Sequence, residues 1–260
     1  MSPILKQQSG NVATLTLNRP EQMNAIDLDM AKALYEAARH LAEEASVRAV
    51  ILTGAGDKAF CAGGDLSRFY EQGAAIAEHL KEVTDYLHGA VSCFASMNAP
   101  VITAVNGVTA GGGLAFIGFP QLVLAGRSAR FVSAYTKAGL SPDGSSTWYL
   151  PRLIGMRRAN EFIFTNRMLN ADEAAEWGLV SRVVEDDRLM AEAHEAAAQL
   201  ANGPQQAYGR IKHLLNSSLS ASLEAQMQTE AGYLARSAEA PDGQEGISAF
   251  LNKQPPQFTE

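Results

Sequence analysis

Three short stretches of this chain carry residue types and spacings suited to moving a proton beside a carbonyl group. Gly111-Gly-Gly113 lies between an apolar run, Val101-Ile-Thr-Ala-Val105, and a short apolar segment reaching Phe119. Glycines there admit left-handed backbone and close approach, and a helix start leaves N–H groups without carbonyl partners. Such N–H groups can hold a developing oxyanion. Phe60-Cys-Ala-Gly-Gly-Asp65 is a second glycine loop, with an N–H to offer at Gly64. Asp143, in Ser141-Pro-Asp-Gly-Ser-Ser146, supplies a carboxylate, and no Asp or Glu lies between Asp85 and Asp143. Chemistry needing two carboxylates in this region therefore finds one. A triple glycine alone is as well explained by a tight strand-to-helix turn. Asp143 has an equal claim to be the N-cap of the segment carrying Trp148. Its neighbours Phe131, Tyr135 and Trp148 favour function, because an apolar setting suits a carboxylate for acid–base work.

Other chemistries fit poorly. Cys61 has no base nearby in sequence, since no His occurs between His40 and His79; a buried, inert thiol is expected. The histidines, His40, His79, His88, His194 and His213, lie in helix-like segments with none at i,i+4 from another, so no metal site is expected. Gly54-Ala-Gly-Asp-Lys58 lacks phosphate-loop spacing, and neither G-x-G-x-x-G nor G-x-S-x-G occurs.

The elements that must position these residues follow from pattern. Asn11 to Leu17 alternates as a strand, and Asp27 caps a helix with Leu34, Ala38, Leu41 and Ala45 at helical spacing. Arg48 to Thr53, Val101 to Val105, Gln121 to Ala125 and Leu179 to Val184 are further strands, while Ser67 to Met97 has helical composition. Asn170 with Glu173 forms a capping box. From Arg188 onward Ala-rich helices follow one another, with Pro204, Ser220 and Pro241 as start signals. Strand–helix alternation and then helices alone predict an α/β core, residues 1–187, with a helical region, 188–260.

Composition narrows the setting. With 260 residues, 47% hydrophobic and 19% charged, the chain can bury a full core. A net charge of −7 disfavours nucleic acid. Two cysteines and an N-terminus without a signal-peptide pattern suggest a cytoplasmic setting. Tyr86 to Gly126 contains no charged residue, yet Pro100, Asn106, Pro120 and several glycines interrupt it, so buried strands and a turn are expected rather than a membrane span.

Taken in order, these residues resemble the crotonase (enoyl-CoA hydratase/isomerase) superfamily over nearly the whole chain. The resemblance rests on Leu17-Asn-Arg-Pro20 with Asn24-Ala25, Lys58 to Asp65, Pro100 to Gly107, Gly111-Gly-Gly113, Leu150 to Gly155, Ala174 to Val180 and Glu245 to Phe250. It implies a spiral of ββα units with C-terminal helices that assemble a homotrimer or a hexamer of two trimers. It further implies Gly64 and Gly112 as oxyanion donors, with Ala62, Asp65 and Leu66 at the adenine site. Lys58 and Lys253 would meet CoA phosphates. CoA is then part of the acyl-CoA substrate, and no separate cofactor is implied.

Departures from the family pattern bear on the reaction. Hydratases of this superfamily carry one Glu two residues past the triple glycine, here Ala115, and a second where this chain has Tyr135. Asp143 matches the acid of isomerases, including the phenylacetate-pathway type. The resemblance therefore implies an acyl-CoA isomerase with one acid/base. A hydratase or thioester hydrolase of the same superfamily, or an acyl-CoA binding protein without activity, is the alternative.

Overall fold

The computed structural model describes residues 2–259. Ile4–Ser9 (β1) and Val12–Leu17 (β2) form an antiparallel hairpin around Gly10, whose φ of 57° is left-handed. The sequence pattern misses β1 because five of its six residues are exposed, leaving no apolar periodicity. Asp27 then caps Leu28–Glu43 (α1), accepting from the Met30 N–H at 2.9 Å as expected.

From there each turn of the chain lays one strand in each of two sheets before a helix crosses over. Ala49–Gly54 (β3) and Ala59–Cys61 (β4) precede Leu66–Tyr70 (α2) and Ile76–Ser96 (α3). Val101–Val105 (β5) and Val108–Ala110 (β6) precede a 3-10 turn, Gly111–Leu114, and Ala115–Gly118 (α4). Leu122–Gly126 (β7) and Arg130–Val132 (β8) precede Ser146–Thr165 (α5). Leu169–Asn170 (β9), Ala171–Trp177 (α6) and Arg182–Val184 (β10) close the spiral. The larger sheet runs β1-β2-β3-β5-β7-β10 and the smaller β4-β6-β8-β9; among the described residues only the β1–β2 and β8–β9 pairs are antiparallel. This is the crotonase-type α/β spiral of ββα units.

The larger sheet is apolar on both faces. Val50, Leu52, Val101 and Val105 face the main core with α1 and α3. Ala49, Ile51, Ile102, Ala104 and Leu124 face Leu189, Ala193, Ala197 and Ala201 of Leu189–Ala201 (α7). Strands covered on both sides read as continuous apolar runs, and the uncharged stretch 86–126 is largely of this kind. Among the described residues no helix is long and apolar enough to cross a membrane.

The C-terminal helices divide at α7. That helix belongs to the cover of the sheet, although it lies beyond residue 187. Gln205–Ser217 (α8), Leu223–Glu239 (α9) and Pro241–Leu251 (α10) reach further out, and α9 buries no residue. Ser222, two positions after the expected Ser220, caps α9 by accepting from the Ala225 N–H. Lys212 pins α8 to the core: its ammonium donates to the carbonyls of Phe94, Met97 and Ala99 at the end of α3.

Candidate active site

Strand ends of the smaller sheet bring the two glycine loops together. Ile26 bridges the second loop: its N–H donates to the Gly63 carbonyl at 2.7 Å, and its carbonyl accepts from the Asp65 N–H at 2.9 Å. Because Gly63 and Asp65 face Ile26, the N–H of Gly64 points the opposite way, as alternation along an extended segment requires. Gly112 is the second residue of its 3-10 turn, where an N–H has no partner within the turn; the Gly111 N–H is used by the Ser133 carbonyl. A Cβ built on Gly112 would stand 3.8 Å from Gly64 N, 3.9 Å from Asp143 Oδ1 and 3.7 Å from Ile26 Cδ1. Gly64, Gly112 and Asp143, far apart in sequence, thus surround one small volume.

That volume is part of a cavity of about 290 Å³, close to the lower bound of ~300 Å³ for small-molecule sites. Its wall is mostly apolar, with Phe69 from α2 and Leu80, Val83 and Leu87 from α3. Asp143 is the only acid among its lining residues. Phe131 and Trp148 do not line it: Phe131 is fully buried in the core, and Trp148 sits at the surface with Arg152 stacked 4.0 Å above its ring. Of the three named neighbours only Tyr135 lines the cavity, and the apolar setting of Asp143 comes from Tyr135, Ala138 and Leu140 together with the α2–α3 segment. The sequence could not orient that segment, whose helix breaks around Gly73 at a φ of 53°.

Asp143 is not the cap of α5. Ser145 occupies the N-cap position, and Asp143 offers only its main-chain carbonyl there, to Ser146. Its carboxylate faces two other side chains. The Tyr135 hydroxyl donates to Oδ1. Burial, followed by the Asp143 charge, pushes the Tyr135 phenol well above its ordinary value, so it stays protonated and donates. Oδ2 stands 3.7 Å from Nε2 of His88. Ala134 at φ 62° and Ser145 at φ 64° hold left-handed backbone on either side of this pair, at a cost of ~1–2 kcal/mol each.

No sequence signal marks His88, which has no metal-ligand partner at helical spacing. Its place on α3 brings it to residues that lie 56 positions later: its Nε2 accepts from the Gly144 N–H at 3.1 Å. The same nitrogen cannot accept that bond and donate to Asp143, and 3.7 Å is too long for a hydrogen bond, so in this geometry Nε2 carries no proton. The interaction with Asp143 nevertheless holds His88 above the usual imidazole pKa, against partial burial.

The remaining sequence candidates separate. Ala62 and Leu66 line the cavity. The Asp65 carboxylate is engaged elsewhere: it caps α2 through the Arg68 N–H and pairs with Arg19 at 2.9 Å. Arg19 also reaches Asp27 at 3.0 Å and the Ala25 carbonyl at 2.5 Å, tying the Ile26 bridge to the glycine loop. Lys58 and Lys253 are exposed and do not line the cavity. Cys61 is fully buried and its thiol is pushed up to about 12 by that burial. Among the described residues no three His, Cys, Asp or Glu side chains cluster as metal ligands.

Ala115, where hydratases of the superfamily carry an acid, is buried beside the loop that carries Asp143. A Cβ added at Gly144 would lie 2.8 Å from the Ala115 Cβ, so the glycine lets the loop that carries Asp143 pack closely against Ala115.

Comparison with known proteins agrees with this architecture. The model of the enoyl-CoA hydratase/isomerase family matches residues 7–260. The chain is 39% identical to the 1,2-epoxyphenylacetyl-CoA isomerase of Escherichia coli (strain K12), over 100% of this chain and 99% of that protein. It is 34% identical to 4-chlorobenzoyl coenzyme A dehalogenase-2 of an Arthrobacter species, over 95% and 90%. The crystal structure of an enoyl-CoA hydratase from Polaromonas sp. JS666 superposes with a TM-score of 0.93 at 32% identity, covering 98% of this chain and 99% of that one. With this sequence match, this spiral and these paired glycine loops, the chain belongs to the enoyl-CoA hydratase/isomerase family, in the crotonase superfamily of enzymes.

Proposed function

We propose that this enzyme isomerises an acyl-CoA thioester through an enolate, with Asp143 as the single acid/base. One observation carries the proposal: among the described residues Asp143 is the only acid lining the cavity, and it faces the same small volume as Gly64 N and the space beside Gly112. The thioester oxygen accepts from the Gly64 and Gly112 N–H groups. Asp143 takes a proton from a carbon of the acyl group; the C–H pair becomes the enolate, whose negative charge rests on that oxygen. The carboxylic acid then returns a proton to a different carbon, moving a double bond between the β,γ and α,β positions. A ring-epoxide acyl-CoA, the substrate class in the name of the E. coli relative, falls under the same proposal. Hydration needs one group for water and one for the carbon, and Ala115 and Tyr135 stand where hydratases of the superfamily carry their acids.

The proposal extends to CoA and assembly. Lys58 and Lys253 contact the CoA phosphates, and the adenine lies beside Ala62 and Leu66, which line one side of the cavity. The chain forms a homotrimer or a pair of trimers through α8–α10, supported by Leu215, Leu219, Leu223, Leu234, Phe250 and Leu251, which are 65% to 84% exposed.

A panel of 3-enoyl-, 2-enoyl- and aryl-acyl-CoA thioesters followed by mass spectrometry tests the reaction. Isomerisation leaves the mass unchanged, hydration adds water, and hydrolysis releases CoA. Asp143→Asn should lose turnover by orders of magnitude while still binding the thioester. Full activity in that variant, or water uptake as the main reaction, overturns the proposal.

A further inference from the structure

The two oxygens of Asp143 have different surroundings. Oδ1 carries the bond from the Tyr135 hydroxyl and is the oxygen beside Gly112, so a proton taken up by the carboxyl group rests on Oδ2, the less stabilised oxygen. Oδ2 faces His88, whose side chain is 49% exposed and does not line the acyl cavity. An acyl group filling that cavity covers the carboxylate from the substrate side, while His88 stays in contact with solvent.

Building on the single-base reaction proposed above, we propose that His88 is a proton outlet: it acts through Asp143 to exchange the transferred proton with water while substrate is bound. The step balances as follows. Protonated Oδ2 gives its proton to the Nε2 lone pair, which leaves the Gly144 N–H; the carboxylate regains its charge and the ring becomes an imidazolium. The imidazolium gives to water the hydron on Nε2, the one received from Asp143; water returns a proton to the same nitrogen, which passes it back to Oδ2 before the enolate is reprotonated. The movement required is small, since 3.7 Å exceeds a charge-assisted hydrogen-bond length of ~2.8 Å by roughly 0.9 Å. The titratable groups acting on the ring are Asp143, from the loop before α5, and Asp85, one turn earlier on α3; both favour its protonated form. His88 is thus a positioning residue that decides whether the substrate keeps its own proton.

The test is isotopic. A substrate deuterated at the abstracted carbon is isomerised in ordinary water, and mass spectrometry reads the share of product retaining deuterium at the receiving carbon. His88→Gln keeps an acceptor for the Gly144 N–H but cannot relay a proton, so the share of deuterium lost to water should fall at least threefold from the wild type. The ratio counts only molecules that have turned over, so a slower variant still gives a clear answer, and His88→Asn supplies a second chance should the glutamine variant not fold. A structural role alone would change rate or stability and leave the ratio unmoved. Equal retention in wild type and variant overturns the proposal, as does a wild type that takes up no deuterium from heavy water. Asp143→Asn separates the two levels. If that variant still isomerises, the base assignment falls; if it is inactive while His88→Gln matches the wild type, only the outlet falls.

Discussion

Replacing Gly112 by alanine tests the site without testing the fold. Gly112 lies outside the left-handed region, and the added Cβ would meet nothing closer than 3.7 Å, an ordinary contact. The backbone therefore accepts alanine, and the melting temperature should stay within a few degrees of the wild type. The methyl group would, however, stand 3.8 Å from Gly64 N and 3.9 Å from Asp143 Oδ1. A thioester oxygen must approach an N–H donor to ~2.9 Å, so it cannot share that volume with a methyl group and must leave at least one donor. Losing one oxyanion donor typically costs about 3–4 kcal/mol, or 10²–10³ in kcat. Gly113→Ala is the opposite control: its Cβ would fall 2.5 Å from the Cys61 carbonyl oxygen, inside the backbone of β4, so it should unfold at a clearly lower temperature. Thermal unfolding followed by circular dichroism, alongside acyl-CoA turnover, reads both effects. A fully active Gly112→Ala enzyme, or one as unstable as Gly113→Ala, refutes the placement of the thioester oxygen.

Other perturbations have equally definite outcomes. Burial pulls the Lys212 ammonium down to about 7, while three carbonyl acceptors require the three protons of its charged form. Lys212→Met strands those carbonyls and should cost at least ~3 kcal/mol of stability, visible as a lower urea midpoint; an unchanged midpoint would show that the clamp contributes nothing. With its thiol at about 12, Cys61 should resist iodoacetamide in the folded protein at pH 8 and react once unfolded, as counted by intact mass. Neutralising Lys58 and Lys253 together should weaken binding of CoA esters in calorimetry, more so at low salt; equal affinity at every ionic strength removes them from the site. Light scattering at micromolar protein should give three or six times the chain mass of 27.8 kDa, and a monomer contradicts the trimer.

Sequence alone determined the elements whose signals are local. Asp27 and Asn170 cap their helices as read, because capping needs only residues within one turn. The buried strands β3, β5 and β7 announced themselves as apolar runs, and the ordered glycine motifs identified the superfamily. The smaller sheet stayed hidden, since strands of two or three residues are too short to show a period. Only tertiary structure decided what Asp143 does. By local pattern it was as good a cap as a base; the fold gave the cap position to Ser145 and turned the carboxylate towards Tyr135 and His88. His88 carried no signal of its own, because its partners lie more than fifty residues away and meet it only where α3 passes the loop before α5. Motifs record which groups are present, while distances across a site arise from the packing of elements that no local window contains.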